Sequence, residues 1–245
     1  MKVTFLKKRL NLNRVGGYKT KLEAFFFVLV LSSIIMFSSV KASAYTYYFY
    51  DLTNTNETNA SIAESQIAMD VTDYGTNQVS FMFSNAVGEA CSITDVYFDD
   101  GSLLGIAAII SSSGVSFSSP ATPGNLPGGN LADPDFQTSE QFSADSDPPV
   151  TANGVNESDE WLQIIFDLQG GQDIYNVIDA LTDGGLRVGI HVQGFEILGP
   201  DGQSLSESLI NNNYEGAPPV PIPGAVWLFI SGLIGLIGIR RRFRG

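Results

Sequence analysis

The chain has 245 residues and a formal net charge of −13 at pH 7, and its charges are strongly segregated along the sequence. Twelve of the thirteen basic residues lie in the first 41 or the last six positions, whereas 25 of the 26 acidic residues lie between residues 45 and 217, where Arg187 is the one base. Nucleic acid is excluded as a partner of this acidic segment, because phosphate binding needs a basic surface.

The N-terminal segment is typical of an export signal. A basic stretch is followed by an apolar run at residues 24–37, and the small residues Ala42 and Ala44 then stand at the spacing that signal peptidase recognises. We predict a signal peptide over residues 1–44 that directs the chain to the Sec machinery and is cleaved by signal peptidase before Tyr45. An uncleaved membrane anchor is the alternative, although the apolar run is short for a membrane span.

Most of the segment that follows has the alternating pattern of β-strands. Alternating strands joined by short turns favour an antiparallel β-sandwich, jelly-roll-like, in which one face of each sheet contacts solvent. Apolar residues at helical spacing predict one short helix within residues 173–185, ended by Gly184 and Gly185. Strands are predicted at residues 45–52, 66–71, 78–85, 91–98, 103–110, 114–119, 161–168 and 186–197.

Two segments interrupt this pattern. Residues 119–160 are rich in Pro, Gly, Asp, Asn and Ser and are too long for an ordinary hairpin loop. This segment is either an ordered excursion from the sheet or a flexible insert. Residues 211–219 contain asparagines and prolines with little to bury, and we interpret them as a linker. The exported domain is therefore expected to span residues 45–210.

Few residues of this domain could carry out catalysis. His191 is the one histidine, and its place between Ile190 and Val192 on an alternating strand predicts a solvent-facing side chain. Cys91 is the one cysteine, which excludes an internal disulfide and a zinc site of Cys and His ligands. The domain contains no lysine and no G-x-S-x-G motif, which excludes Schiff-base chemistry and that class of serine hydrolase. We expect a protein that is not an enzyme.

Carboxylates are abundant, and one cluster of oxygen ligands is a candidate calcium site. Calcium is a hard cation that prefers oxygen ligands, and the stretches ADSD and NGVNESDE offer several of them within one loop. The spacing is not that of an EF-hand, and a solvated loop without metal is the alternative; no other cofactor is expected. The candidate ligands are Asp145, Asp147, Asn153, Asn156 and Asp159.

The C-terminal segment has the features of a membrane anchor. Residues 225–239 contain no charge, and as a helix they would span roughly 22 Å, somewhat less than the roughly 30 Å of bilayer hydrocarbon. We predict a transmembrane helix over residues 224–239, stopped by Arg240, Arg241 and Arg242, which stay on the cytoplasmic side. The acidic domain would then lie across the membrane from both basic ends of the chain.

A proline motif, a short apolar helix and an arginine cluster in this order resemble the C-terminal sorting signals of the PEP-CTERM family of exported bacterial proteins. The resemblance covers residues 220–244, within a predicted sorting signal of residues 220–245, and is closest to the variant form V-P-L-P-A. It implies that an exosortase, a membrane-embedded cysteine protease and transpeptidase, processes the chain, and that the host is a Gram-negative bacterium that makes exopolysaccharide and biofilm. The residues of the recognition motif are Val220, Pro221, Ile222, Pro223 and Gly224.

These observations together predict an exported cell-surface or extracellular-matrix protein. The chain would be in transit in the inner membrane, with its domain on the periplasmic side, and would then reach the cell surface or the medium. Exopolysaccharide is a further expected partner. The alternative is a glycan-binding module or a polysaccharide-acting enzyme on the same anchor, since aromatic rings stack on sugars and a glycosidase needs two carboxylates.

Overall fold

Ten β-strands form the framework of the described part of the chain. The computed structural model describes residues 44–86, 88–100, 103–139 and 142–211. The strands are β1 (Ala44–Asp51), β2 (Ile67–Gly75), β3 (Gln78–Asn85), β4 (Ser92–Asp100), β5 (Leu103–Ser111), β6 (Phe117–Ser118), β7 (Ser143–Ser146), β8 (Trp161–Leu168), β9 (Leu186–Gln193) and β10 (Glu207–Asn211).

All ten strands belong to one antiparallel sheet. Neighbouring strands follow the order β5-β8-β3-β2-β1-β10-β9-β4-β7-β6. Strand β1 joins the two halves of this sheet, because residues 44–48 pair with β2 and residues 49–51 pair with β10. The sheet folds back on itself and is nearly barrel-shaped. The expectation of a mainly β, antiparallel fold is confirmed.

Apolar side chains from both halves of the sheet meet in one main core. Phe81 on β3 and Phe166 on β8 come from one half, and Phe98 on β4 comes from the other. The ring centroid of Phe98 lies 5.1 Å from that of Phe81 and 4.6 Å from that of Phe166. Edge-to-face pairs of this kind contribute about 0.5–1.5 kcal/mol each beyond the area that they bury. These contacts hold the two halves of the sheet face to face.

A second, smaller apolar cluster lies on the outer face of the sheet. Residues 119–136, which we call the cover, run over this face and contribute much of the cluster. A Cβ on Gly189 of β9 would stand 2.7 Å from Cδ2 of Leu126, so glycine allows the cover to approach the strand closely. The buried residues of the cluster are Tyr97, Ala121, Leu126, Phe136 and Ile210.

The long segment that interrupts the strand pattern is thus built into the fold. Besides the cover, its described residues include β7 and two short helical turns, a 3₁₀ turn at Gly129–Leu131 and helix α2 at Val150–Asn153. The sequence left open whether residues 119–160 are an ordered excursion from the sheet or a flexible insert. The described residues of this segment fit the ordered excursion.

Two ten-residue helices complete the described structure, α1 at Glu57–Gln66 and α3 at Ile174–Asp183. Helix α3 is the predicted one: Asp173 caps its first turn, accepting from the amides of Tyr175 and Asn176, and Gly184 ends it at φ +81°. The expectation of only one short helix is wrong, because the structure has a second ten-residue helix, α1. Among the described residues, no helix combines the length and apolar character needed to cross a membrane.

Candidate functional site

A row of four polar residues crosses the outer face of the sheet beside the second cluster. In strand register, Asp145 of β7 pairs with Asp95 of β4, Asp95 with His191 of β9, and His191 with Ser208 of β10. Sequence neighbours of these residues point into the main core, so the four side chains share the opposite face. We call them the polar row.

His191 is held by Asp95 at the centre of the polar row. Nδ1 of His191 lies 3.0 Å from Oδ2 of Asp95, which also accepts a hydrogen bond of 2.7 Å from the Thr94 hydroxyl. The side chain of His191 is 13% exposed and that of Asp95 is 8% exposed. The prediction of a solvent-facing histidine is therefore wrong. The side chain does point away from Ile190 and Val192, but it packs against a carboxylate largely out of solvent.

Ser208, His191 and Asp95 follow one another across three strands in the order of a hydrolytic triad. Sequence reasoning missed this arrangement, because the residues are far apart along the chain and only the strand register aligns them. The hydroxyl of Ser208 has no hydrogen-bond partner among the described residues, and Ser208 is 1% exposed. A serine nucleophile must contact both its base and a substrate. In this geometry Ser208 is buried and makes no hydrogen bond to His191.

Asp145 of the polar row and the neighbouring Tyr97 instead anchor the cover. The amide of Thr122 donates to Oδ2 of Asp145 at 3.1 Å, and the hydroxyl of Tyr97 donates to the carbonyl of Pro123 at 3.1 Å. Burial, followed by the negative charge of Asp95, raises the pKa of Asp145 and that of Tyr97. The Tyr97 phenol is therefore neutral and available as a donor. These hydrogen bonds fix the first turn of the cover on the sheet.

The predicted calcium ligands Asp145 and Asp147 lie in and just after β7, where their oxygens are bound by protein donors. Asp147 accepts hydrogen bonds of 2.6 and 2.8 Å from the hydroxyls of Ser116 and Ser118, and these bonds lower its pKa. Asp145 accepts from the cover, as described. Both carboxylates therefore already have a structural role that does not require a metal.

The other three predicted ligands lie in the connection from β7 to β8. Asn153 donates its amide to the carbonyl of Asp147 at 2.9 Å, and Asn156 donates to that of Thr151 at 2.8 Å. Asp159 lies in the turn before β8. Within the described ranges, no three His, Cys, Asp or Glu side chains converge as a metal site would require. The calcium site stays a prediction.

A buried carboxylate, Glu207 of β10, connects the sheet to helix α1. Glu207 is 0% exposed and accepts hydrogen bonds from the hydroxyl of Thr53 at 2.9 Å and from the amides of Thr55 and Asn56 at 2.8 and 2.7 Å. Because these donors precede and start the helix, Glu207 satisfies groups that would otherwise be unpaired. Its role is to fix the β1–α1 connection.

Asp51 and Glu64 add two more carboxylates at this place, and we call the three residues the acidic junction. Oε1 of Glu64 accepts from the amide of Asp51 at 2.7 Å, while Oδ1 of Asp51 is buried without a hydrogen-bond partner among the described residues. Burial, and after it the charge of Glu207, raises the pKa of Asp51 to about 6. The carboxyl of Asp51 therefore changes its protonation state close to neutral pH.

A shallow cavity of about 370 Å³ lies between the β3–β4 connection and helix α2. Its buried floor is formed by Cys91 and Ser92, and the exposed residues Glu89 and Glu157 stand at its rim. Burial raises the pKa of the Cys91 thiol, which keeps it neutral and unreactive. Cys91 is buried, as the sequence predicts, but it lies one residue before β4 and is not a strand residue.

Two tyrosines stand out on an open part of the sheet. Tyr48 is 55% exposed and Tyr50 is 47% exposed, and both point outward from β1, because Tyr47 and Phe49 alternate with them into the main core. We call Tyr48 and Tyr50 the tyrosine strip.

Most residues of the predicted export and sorting signals lie outside the described residues. Of the predicted cleavage site, Ala44 and Tyr45 are the first residues of β1, and Ala42 precedes the described part. The sorting motif Val220–Gly224 and the arginines Arg240–Arg242 also lie beyond it. Comparisons of this chain with protein-family models, with curated proteins and with solved structures found no match in any of the three.

Proposed function

We propose that this chain is an exported, non-catalytic cell-surface or extracellular-matrix protein, which its C-terminal segment holds in the membrane until an exosortase-type enzyme processes it. The observation that carries this proposal is the distribution of charge. Basic residues flank an apolar run at each end of the chain, and an acidic domain lies between them. Positive flanks stay cytoplasmic, so both ends place the domain on the periplasmic side.

The position of strand β1 supports cleavage before Tyr45. Signal peptidase would remove Ala44 and leave Tyr45 as the first residue of the strand. The pairing of Tyr45 with Val71, and of the residues after it, would then be retained. Cleavage several residues further along would remove the part of the strand that pairs with β2. The proposed site is therefore compatible with an intact sheet after export.

The contacts of the polar row support a role without catalysis. Its histidine is engaged by Asp95, and its serine is buried and not bonded to the histidine. The hydrogen bond from the cover to Asp145, beside that from Tyr97 to the cover, supports a structural role for this end of the row. We further infer that the folded-over sheet acts as a jelly-roll-like sandwich, a rigid carrier for a binding surface.

The test of this proposal is the C-terminus of the protein in its host. Replacing both Pro221 and Pro223 with alanine should leave the full-length chain in the membrane fraction, because the motif next to the membrane would no longer be recognised. Intact-mass spectrometry of the released protein should place the native C-terminus near residues 220–224. Replacing Pro218 and Pro219 with alanine is the matched control and should leave release unchanged.

Two results would contradict the proposal. One is a chain that carries all of its C-terminal residues and is found in the cytosol. The other is equal release of the native protein and of the Pro221/Pro223 double variant, which would remove the motif as the recognition element.

A further inference from the structure

We propose that the tyrosine strip, Tyr48 and Tyr50, is a docking surface for an uncharged polysaccharide chain. The inference rests on the proposed function, since it names the partner class of the exported domain. The two rings stand on one face of one strand, two residues apart, and are therefore separated by roughly 7 Å along β1. About half of each side chain is open to solvent.

The strand beneath these rings is rigid. The first part of β1 pairs with β2 and its last part pairs with β10, so each part of its backbone is hydrogen-bonded to one neighbouring strand. The alternate residues Tyr47 and Phe49 are buried in the main core at 1% and 3% exposure. Rings on such a strand lose little freedom on binding, which favours affinity for a weakly interacting ligand.

The cover flanks one side of the strip. Tyr50 pairs with Ile210, which is 1% exposed and belongs to the second cluster under the cover. The cover therefore rises beside Tyr50. On the other side, Tyr48 pairs with Ala68 of β2, a small residue that leaves the ring face open. A linear chain lying along β1 would contact both rings with the cover at its flank.

The polar groups next to the strip are hydrogen-bonding groups of the kind that sugars use. Thr46 lies on the same face of β1 as Tyr48, and its hydroxyl donates to Oδ1 of Asp70 at 2.5 Å. The second oxygen of the Asp70 carboxylate remains an acceptor for a sugar hydroxyl. Aromatic rings with a neighbouring carboxylate combine stacking on the apolar face of a sugar with hydrogen bonding to its rim.

The negative charge of the domain favours an uncharged polysaccharide over an anionic one. Between residues 45 and 217 the chain has 25 acidic residues and a single base, Arg187, and this arginine pairs with Asp99. An anionic polysaccharide would be repelled by this domain, and no described cation is free to bind it. An uncharged chain bears no such penalty.

Surface area argues against a protein as the occupant. A specific protein interface buries about 800 Å² on each partner. The strip offers two tyrosine rings, and the outward residues of β2 that pair with β1 are the small or polar Ala68, Asp70 and Thr72. This patch is small for a protein partner or for a second copy of the chain, and it matches the width of a single sugar chain.

The experiment measures binding of the exported protein to cellohexaose and laminarihexaose, two uncharged glucans, by isothermal titration calorimetry. We expect binding of at least one of them. The double variant Tyr48→Ala/Tyr50→Ala should bind about tenfold more weakly, whereas Tyr48→Phe/Tyr50→Phe should stay within about threefold of the native protein, because phenylalanine keeps the ring for stacking. Tyr175→Ala, which removes a 62% exposed tyrosine from helix α3, is the matched control and should bind like the native protein.

Two binding results would overturn the inference: no binding of either glucan, or a Tyr175→Ala variant that binds as weakly as the double alanine variant. Tighter binding of polygalacturonate than of the glucans would also overturn it. So would a dimer in sedimentation analysis that the double alanine variant converts to monomer. Thermal unfolding of each variant shows whether it is folded, and the phenylalanine pair keeps the test valid if the alanine pair unfolds. The C-terminal mass of the same samples reports separately on the proposed processing, so failure of one idea is distinguishable from failure of the other.

Discussion

At the scale of single residues, the acidic junction places three carboxylates together without a cation. Glu207 is committed to the β1–α1 connection, and Asp51 is left with a buried oxygen that has no described partner. The one base of the domain, Arg187, is paired with Asp99 elsewhere. Protonation of Asp51 therefore relieves the repulsion between these carboxylates. Acid should favour the folded state at this site.

Replacing Asp51 with asparagine should stabilise the protein at pH 8 and change little at pH 4. The pKa of Asp51 is raised from 3.8 to about 6 on folding, so the folded state binds more protons between these values. Its contribution to stability is present below pH 3.8 and is lost as pH rises through 6. Because Asp51 is partly exposed, we expect a gain of about 1–2 kcal/mol at pH 8, or roughly 3–6 °C in Tm.

Thermal unfolding of the native protein and of Asp51→Asn across pH 4 to 8 checks this prediction. Asp179→Asn, which removes an exposed carboxylate from helix α3, controls for the change in net charge. A difference between native and variant that does not depend on pH would show that Asp51 does not titrate as described.

At the scale of secondary-structure elements, the cover depends on one glycine. Gly189 of β9 allows Leu126 and Phe136 to pack on the strand, and an added Cβ would stand 2.7 Å and 3.1 Å from their side chains. Alanine at this position should lift the cover from the sheet. We expect Gly189→Ala to lower the free energy of unfolding by about 1–3 kcal/mol, as overpacking generally does, and to speed proteolysis within residues 119–139.

Gly105→Ala is the matched control for this prediction. Gly105 is also a strand residue, and the nearest atom to an added Cβ, in the ring of Phe142, is 4.0 Å away. The free energy of unfolding of Gly105→Ala should differ from that of the native protein by less than about 0.5 kcal/mol. Chemical denaturation together with limited proteolysis measures both variants. Equal behaviour of the two would contradict close packing of the cover at Gly189.

The elements that could be predicted from the sequence are those that bury a full apolar face. Strands β3 and β8 were predicted with the bounds that the structure has, because Phe81 and Phe166 belong to strictly alternating runs. Helix α3 was found because Val177, Ile178 and Leu181 repeat at helical spacing. In these elements the local pattern and the tertiary contacts agree.

Elements that depend on long-range partners were missed. Helix α1 buries only Asn59, Ala60 and Ala63, so it has no strong apolar face, and its N-terminus is fixed by Glu207 from the far end of the chain. Strand β10 is buried at every position and therefore has no alternation. The polar row depends on register between four strands, which no local pattern encodes. Its best sequence signal was the single histidine, which the alternation wrongly placed in solvent.

At the scale of the whole molecule, the acidic domain must fold against its own charge. Its 25 acidic residues face one arginine, and the described core is apolar, so the carboxylates lie mainly at the surface, where like charges repel. The Debye length falls from about 30 Å at 0.01 M salt to about 10 Å at 0.1 M. Tm of the exported protein should therefore rise by several degrees when NaCl increases over this range.

The same titration tests the calcium prediction, because screening depends on ionic strength while a site depends on the ion. If Asp145, Asp147 and their predicted co-ligands hold calcium, CaCl₂ should raise Tm more than MgCl₂ at equal ionic strength, since calcium accepts more protein oxygens in looser geometry. EGTA should then reverse the difference, and Asp147→Asn should abolish it. Equal curves for the two salts would contradict the calcium site and leave screening as the whole effect. A Tm that does not respond to NaCl would contradict the argument from charge itself.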